Sequence, residues 1–427
     1  MTVLRAGRRA LLAYPAMLLA WAVVRLYGLF ALHGAFPYNR SYPSDGDLHV
    51  YWQWAWFIWH GGVPYHSIPV IPLLYPPGVL PFLVLPTPTF GAYEAEFLAL
   101  ALATDVLVLL ALLGTGRRLG AWAWVVAPLL LGPVFWARFD IFVAGLLVAG
   151  VVAMEHRRYG WAAACLSWAA LLKVWPLVLL LLLLRQVPRE RRRVYATVGF
   201  AILVVAVVPF LAIGGSQGLW FVMRLQSSRG VEVESLYALP LYAVHAAGHV
   251  VPIVLAASYQ FAGSADSVVA GVATGLTVLA VIALGWLSLQ RRANWSPVGL
   301  LLATVALLLL TDKVLSPQYL VWVVVAVALA VDGVRDRRVL LWTLAGLLLT
   351  TQAQFPFGFA LLRRETTGAL VLSALHAASL LAFAAVALRT SLQHDLGWSA
   401  SAVVADGLAE DLHPEPERVP LGVLRKP

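Results

Sequence analysis

The chain has 427 residues, 61% of them hydrophobic and only 12% charged, with a mean hydropathy of +0.83. A soluble domain carries about a quarter charged residues, so this composition excludes one and describes a polytopic membrane protein. The formal charge of +9 sits in short Lys/Arg clusters between apolar runs, which excludes a continuous basic face for nucleic acid, and the lone Cys165 excludes disulfides, Cys-based zinc sites and a redox pair.

The first apolar run follows Arg5, Arg8 and Arg9, is about twenty residues long and lacks a small-residue cleavage site, so a retained signal anchor is expected. Apolar runs of about 17–25 residues then recur from Leu11 to Leu388, and residues 1–389 are predicted to form one all-α integral-membrane domain. Basic clusters at Arg5/Arg8/Arg9, Arg117/Arg118, Arg157/Arg158, Arg185–Arg193, Arg291/Arg292 and Arg335/Arg337/Arg338 set the orientation, because Lys and Arg near span ends stay in the cytoplasm. Keeping all of them inside gives about twelve membrane helices with both termini cytoplasmic.

The first outer loop, 33–94, is large and aromatic, with Tyr51, Trp52, Trp54, Trp56, Trp59, Tyr65 and Tyr75 suited to half-buried interfacial helices. Asp45 and Asp47 stand ahead of these rings, and carboxylates beside aromatic planes are also how proteins hold sugars. In an extended segment two residues apart face opposite ways, so one of the two at most is a working base. Within the second span, Asp105 is expected to pair with Arg25 of the first, since a lone carboxylate there costs about 2.5–3.5 kcal/mol.

Two stretches are too short for two ordinary spans. Between Arg158 and Arg185 the charge rule demands a return to the same side, yet each arm of the implied hairpin rises only about 18 Å against a hydrocarbon core of about 30 Å. Its apex, Leu172-Lys173-Val174-Trp175-Pro176, therefore places a proline and an ammonium group at membrane depth, where they need protein or a wet cavity around them. Trp122 to Met154 repeats the pattern with Arg138-Phe139-Asp140 at its turn. Lys313 and Arg229 also lie in broken outer turns, and cations converging near a membrane surface suit a phosphate or pyrophosphate headgroup. Glu232 and Glu234 occupy the loop after about Gly215, Leu236 to Ala262 is expected as an outer interfacial helix and loop, and 390–427, acidic and proline-containing, as a disordered cytoplasmic tail. Neither a nucleotide-binding nor a zinc-hydrolase motif appears in supporting context, and no cofactor or metal is expected.

Several of these segments, in this order, resemble glycosyltransferase family 87 of the GT-C superfamily: Asp47-Leu48-His49-Val50-Tyr51, Gly62-x-Pro64-Tyr65, Tyr75-Pro76-Pro77, Arg138-Phe139-Asp140, Lys173-Val174-Trp175-Pro176, Arg229-Gly230-x-x-x-Glu234-Ser235 and Lys313 through Trp322. The resemblance covers roughly Ala10 to Leu388. It implies a GT-C-type fold and inverting transfer of a hexose, usually mannose, from a polyprenyl phosphate sugar to an acceptor hydroxyl of a glycolipid or glycan, on the extracytoplasmic side of the plasma membrane. By resemblance Asp47 aligns with the general base and Lys173 faces the donor phosphate, with Lys313, Arg229 and Arg138 as further phosphate-binding candidates. Asp45, His49, Tyr51, Asp140, Glu234, Gln318 and Tyr319 are candidates for holding sugar or acceptor; Gln318-Tyr319 stand where some relatives carry histidines. The competing reading is a transporter or flippase of polyprenyl-linked lipid. Transporters commonly repeat their broken helices in both halves, whereas here both charged hairpins are expected in the first half, which favours the enzyme.

Overall fold

The computed structural model describes residues 2–38, 46–62, 73, 75–87, 89–212, 216–245, 251–255, 258–290, 295–364 and 367–392. Among them the chain is almost entirely helical, as an all-α polytopic membrane protein should be. Five helices among the described residues are long and apolar enough to cross a membrane: α2 (Pro15–Leu32), α5 (Phe90–Gly114), α10 (Arg189–Phe210), α13 (Ser264–Leu289) and α18 (Thr367–Ser391). The first apolar run, expected as one anchor, divides. Helix α1 (Thr2–Ala13) ends before Pro15, which opens α2 at a position where its missing N–H costs nothing, and α1 lies along α5.

Shorter, largely buried helices follow one another in three pairs, each joined by a brief turn. They are α6 (Arg118–Leu131) with α7 (Asp140–Glu155), α8 (Tyr159–Leu172) with α9 (Pro176–Leu183), and α14 (Pro297–Thr311) with α15 (Leu320–Ala330). At 1.5 Å per residue these arms rise only about 12–24 Å, so their turns stop short of a full crossing. A proline starts each return: Pro133 and Pro317 open single 3-10 turns and Pro176 opens α9, positions that need no N–H donor. The third pair, with Asp312-Lys313 at its turn, corrects the expectation that the second half holds no charged hairpin. The contrast between halves therefore ceases to separate an enzyme from a transporter.

The expected Arg25–Asp105 pair exists, and it joins three helices. Arg25 donates to both oxygens of the fully buried Asp105, Nε to Oδ2 at 2.9 Å and Nη2 to Oδ1 at 2.7 Å, and Trp21 Nε1 donates to Oδ2 at 2.7 Å. The same guanidinium donates to the Val125 carbonyl of α6 at 2.6 Å and lies 5.6 Å from the ring centre of Trp136. Charge, hydrogen bonds and ring thus fix the start of the turn that carries Arg138. In that turn Gly132 has φ +84°, a left-handed conformation open to glycine but strained for other residues.

The stretch expected as an interfacial helix and loop holds α12 (Ala238–His245) and an antiparallel hairpin, β1 (Val251–Leu255) with β2 (Ser258–Ala262). Strand β2 also pairs along its other edge with residues 231–233: Phe261 N–H donates to the Val231 carbonyl at 2.9 Å and Val233 N–H to the Tyr259 carbonyl at 3.1 Å. Val231, Val233 and Phe261 pack into a second small core with α12, α13, α17 (Phe359–Arg364) and α18. Helix α16 (Arg337–Gln352) packs against α6 and α18. The Asp45 position and the residues of the expected tail from 393 onward lie outside the described residues.

Removing Asp105 while leaving Arg25 strands a buried cation, a loss of about 3–5 kcal/mol. Asp105→Asn should therefore lower the melting temperature of the detergent-purified protein sharply, and the double variant Arg25→Leu/Asp105→Leu should recover part of that loss.

Candidate functional site

Four turns converge on one charged cleft. The first contribution comes from α3 (Gly46–Trp59), where Asp47 sits in the first helical turn rather than in the extended segment expected, so the helix dipole favours its charge. Asp47 and Tyr51 are four residues apart and share one face of α3. Asp47 forms an ion pair with Arg138, and the ring of Tyr51 lies 4.2 Å from that of Phe139. His49 turns elsewhere and packs against Trp52 and Phe90.

Two residues beyond Arg138, the fully buried Asp140 faces Lys173 Nζ at 3.5 Å. The segment 138–140 therefore bridges Asp47, whose side chain is 40% exposed, to the ammonium group of Lys173, 14% exposed. Lys173 ends α8, and its ammonium lies over three rings, Tyr75 at 4.9 Å, Tyr319 at 4.7 Å and Trp322 at 5.5 Å. Tyr319 and Trp322 stack on each other at 4.5 Å. Rings on several sides hold a cation by their π faces and leave its remaining donors to a ligand. A cavity of about 180 Å³ opens beside Lys173, lined by Asp312, Tyr319 and Trp322, by the apolar Leu308 and Leu309, and by Trp175, whose ring centre lies 5.2 Å from that of Trp322.

The loop after α11 (Ser216–Ser227) supplies the third part. Arg229 pairs with Glu232 at 3.6 Å, and both glutamates, 232 and 234, are buried. Gly230 lies against the Phe261 carbonyl and the Asp266 carboxylate, leaving no room for a Cβ, and Val231 N–H donates to Asp266 at 2.8 Å. Lys313, expected as a phosphate contact, takes a different position. Its ammonium donates to the carbonyls of Arg229 at 2.6 Å and Ser227 at 3.2 Å, and its own carbonyl accepts from Glu232 N–H at 2.9 Å. It braces the Arg229 loop. Gln318 is buried and accepts from Ser316 Oγ at 2.6 Å.

The structure thus brings together Asp47, Tyr51, Arg138, Asp140, Lys173, Arg229, Glu234 and Tyr319, and leaves His49 on an aromatic flank. It adds Glu232, Asp312 and Trp322 to the site. The sequence signals for these were the Val-Glu-Val-Glu alternation at 231–234, the Asp312-Lys313 doublet, and the spacing of Tyr319 and Trp322 on one helical face.

Burial pushes the Glu232 carboxyl up to about 7 against the pull of Arg229, and Asp312 up to about 6 against the Val314 N–H and Arg229. Glu234 is raised further, by burial and then by the charge of Glu232. Groups whose pKa rises on folding stabilise the native state fully below their ordinary values of 4.5 and 3.8, and this contribution disappears as pH rises through about 6 and 7. The melting temperature should accordingly fall between pH 5 and pH 8, and Glu232→Gln with Asp312→Asn should flatten that slope.

The sequence model of glycosyltransferase family 87 matches residues 73–311, more than half of the chain. The match includes Arg138, Asp140, Lys173, Arg229, Glu232 and Glu234; Asp47 precedes it and Lys313 and Tyr319 follow it. No curated protein matches the chain.

Proposed function

The chain belongs to glycosyltransferase family 87 and is a membrane-embedded glycosyltransferase, and from that premise we propose that it transfers a hexose, most simply mannose, from a polyprenyl phosphate sugar to an acceptor hydroxyl of a glycolipid or glycan. The observation that carries this reading is the cavity at Lys173. Its lining combines a cation and aromatic rings with apolar side chains, and it opens at the turns of helices too short to cross a bilayer. A phosphate joined to a long hydrocarbon chain has that mixed character, so the ammonium of Lys173 takes the phosphate and Trp175, Leu308 and Leu309 take the first isoprene units.

In this mechanism Asp47 is the general base. Its half-exposed carboxylate can reach an acceptor arriving from the rim, and Arg138 holds it in place until the donor phosphate draws part of that guanidinium away. Asp47 then takes the hydroxyl proton as the acceptor oxygen forms its bond to the anomeric carbon. The opposite bond, from that carbon to the phosphate oxygen, breaks with its electron pair going to the phosphate, and configuration inverts. Lys173, Arg138 and Arg229 stabilise the charge that develops on the leaving phosphate, in a buried setting where such charges interact strongly. Asp140 pairs with Lys173 and aims it, and Lys313 holds Arg229 through its backbone.

The topology belongs to the same proposal: three short-armed pairs, together with the long helices and α16, accommodate twelve membrane segments with both termini cytoplasmic and the cleft on the extracytoplasmic side of the plasma membrane. The contrast between halves that favoured the enzyme no longer holds, and family membership is what supports transfer over transport.

Asp47→Asn should reduce sugar transfer by about 10²–10⁴-fold with donor binding retained, measured as turnover of radiolabelled polyprenyl phosphate mannose by the purified protein. Turnover at the wild-type rate would move the base to Asp140 or Asp45. Lys173→Met should raise the donor KM by about 10–100-fold, the range for a hydrogen bond to a charged group, while the acceptor KM holds. An unchanged donor KM would remove Lys173 from the phosphate site.

A further inference from the structure

The pairing of β2 with residues 231–233 places Glu232 directly opposite Gln260. Residues directly opposite in an antiparallel pair project to the same face, and because the flanking residues make the hydrogen bonds, this is the closer of the two pair geometries. The other face carries Val231, Val233, Phe261 and Tyr259 into the second core. The face with Glu232 and Gln260 is polar, and it is turned to the cleft, where Glu232 pairs with Arg229 and feels the charges of Lys173 and Asp312.

Gln260 is 1% exposed, and its carbonyl oxygen Oε1 has no hydrogen-bond partner among the described residues. Glu232 Oε2, Glu234 Oε1 and Arg229 Nε, all buried, share that condition. Buried polar groups are almost always satisfied, so four unsatisfied ones around a single cross-strand pair mark a place for a hydrogen-bonding ligand. Three of these atoms are oxygens, one of an amide and two of carboxyls, a set that suits a neutral ligand with several hydroxyls.

Resting on the glycosyltransferase reading above, we infer that the Glu232–Gln260 pair forms the subsite for the ring hydroxyls of a hexose, and that Gln260 is a specificity-determining residue of this enzyme. The hexose is that of the donor or that of a glycosidic acceptor, since both present the same hydroxyls. Gln260 accepts a ring O–H through Oε1, Glu232 and Glu234 accept others, and Arg229 donates from Nε to a ring or hydroxyl oxygen. Through the Glu232 N–H to Lys313 carbonyl bond, the subsite is fastened to the same turn that bears Asp312 and leads into Tyr319. Phosphate and sugar are then read by separate walls: cations and rings at Lys173, acceptors at Gln260.

The test compares wild type with Gln260→Leu, which keeps the branching volume and removes the amide, and with Gln260→Met should the first variant melt lower. Dissociation constants are measured for farnesyl phosphate, farnesyl phosphate mannose and octyl mannoside. A donor-sugar subsite predicts that the variant binds farnesyl phosphate mannose about tenfold more weakly, the size of one hydrogen bond, with farnesyl phosphate unchanged. An acceptor-sugar subsite predicts the same loss for octyl mannoside alone. Unchanged binding of both sugar-bearing ligands overturns the inference, as does an equal loss for farnesyl phosphate, which marks a purely structural role. Wild-type protein that binds octyl mannoside through Gln260 but neither phosphate lipid would sink the donor reading and leave the subsite standing.

Discussion

Asp140 and Lys173 face each other across 3.5 Å with the carboxylate wholly buried, and each stands at the turn of a helix pair too short to cross a membrane. Neither charge could remain at that depth alone, because desolvating a single ion there costs several kcal/mol after relaxation. Their pairing is what allows two hairpins to end side by side in the middle of an apolar protein. It also creates the cleft. Once the turns stop short, the space beyond them must be filled by loops, and the loops of α11 to β2 and of α14 to α15 supply Arg229, Glu232, Asp312 and Tyr319.

Two supports keep the turns in place from behind. On one side the Arg25–Asp105 pair ties α2, α5 and α6 and lies against Trp136, so the position of Arg138 is set by a charge pair in the adjoining spans. On the other side Lys313 spends its ammonium on two backbone carbonyls of the Arg229 loop and its carbonyl on Glu232. A lysine with two of its three donors bonded to the backbone is well placed as a brace. Lys173 is held instead by ring faces and one carboxylate.

The site also carries more carboxylates than cations: Asp47, Asp140, Glu232, Glu234 and Asp312 against Arg138, Lys173, Arg229 and Lys313. Such a balance would reject an anionic substrate if every acid were ionised. Burial disfavours the ionised forms of Glu232, Glu234 and Asp312 and so lessens that repulsion. Under the proposed reading the cleft has a cationic, aromatic end at Lys173 and a hydroxyl-binding end at Gln260.

The amino-acid sequence by itself determined the membrane class, the short hairpin at Lys173, the turn at Arg138-Phe139-Asp140 and the Arg25–Asp105 pair, because each follows from local length and from the cost of an unpaired charge in hydrocarbon. It also carried the family pattern through the order of short motifs. Only the tertiary structure decided that α14 and α15 form a third short pair, that Lys313 turns to backbone, that Asp47 begins a helix, and that β2 lines up with 231–233. The last pairing and the Lys313 bonds join residues 28 and 84 to 86 positions apart, and alternation in four- or five-residue stretches such as Val-Glu-Val-Glu is too brief to name its partner strand. A strand's face can be read from its own sequence; which surface that face meets is fixed by the packing of the whole chain.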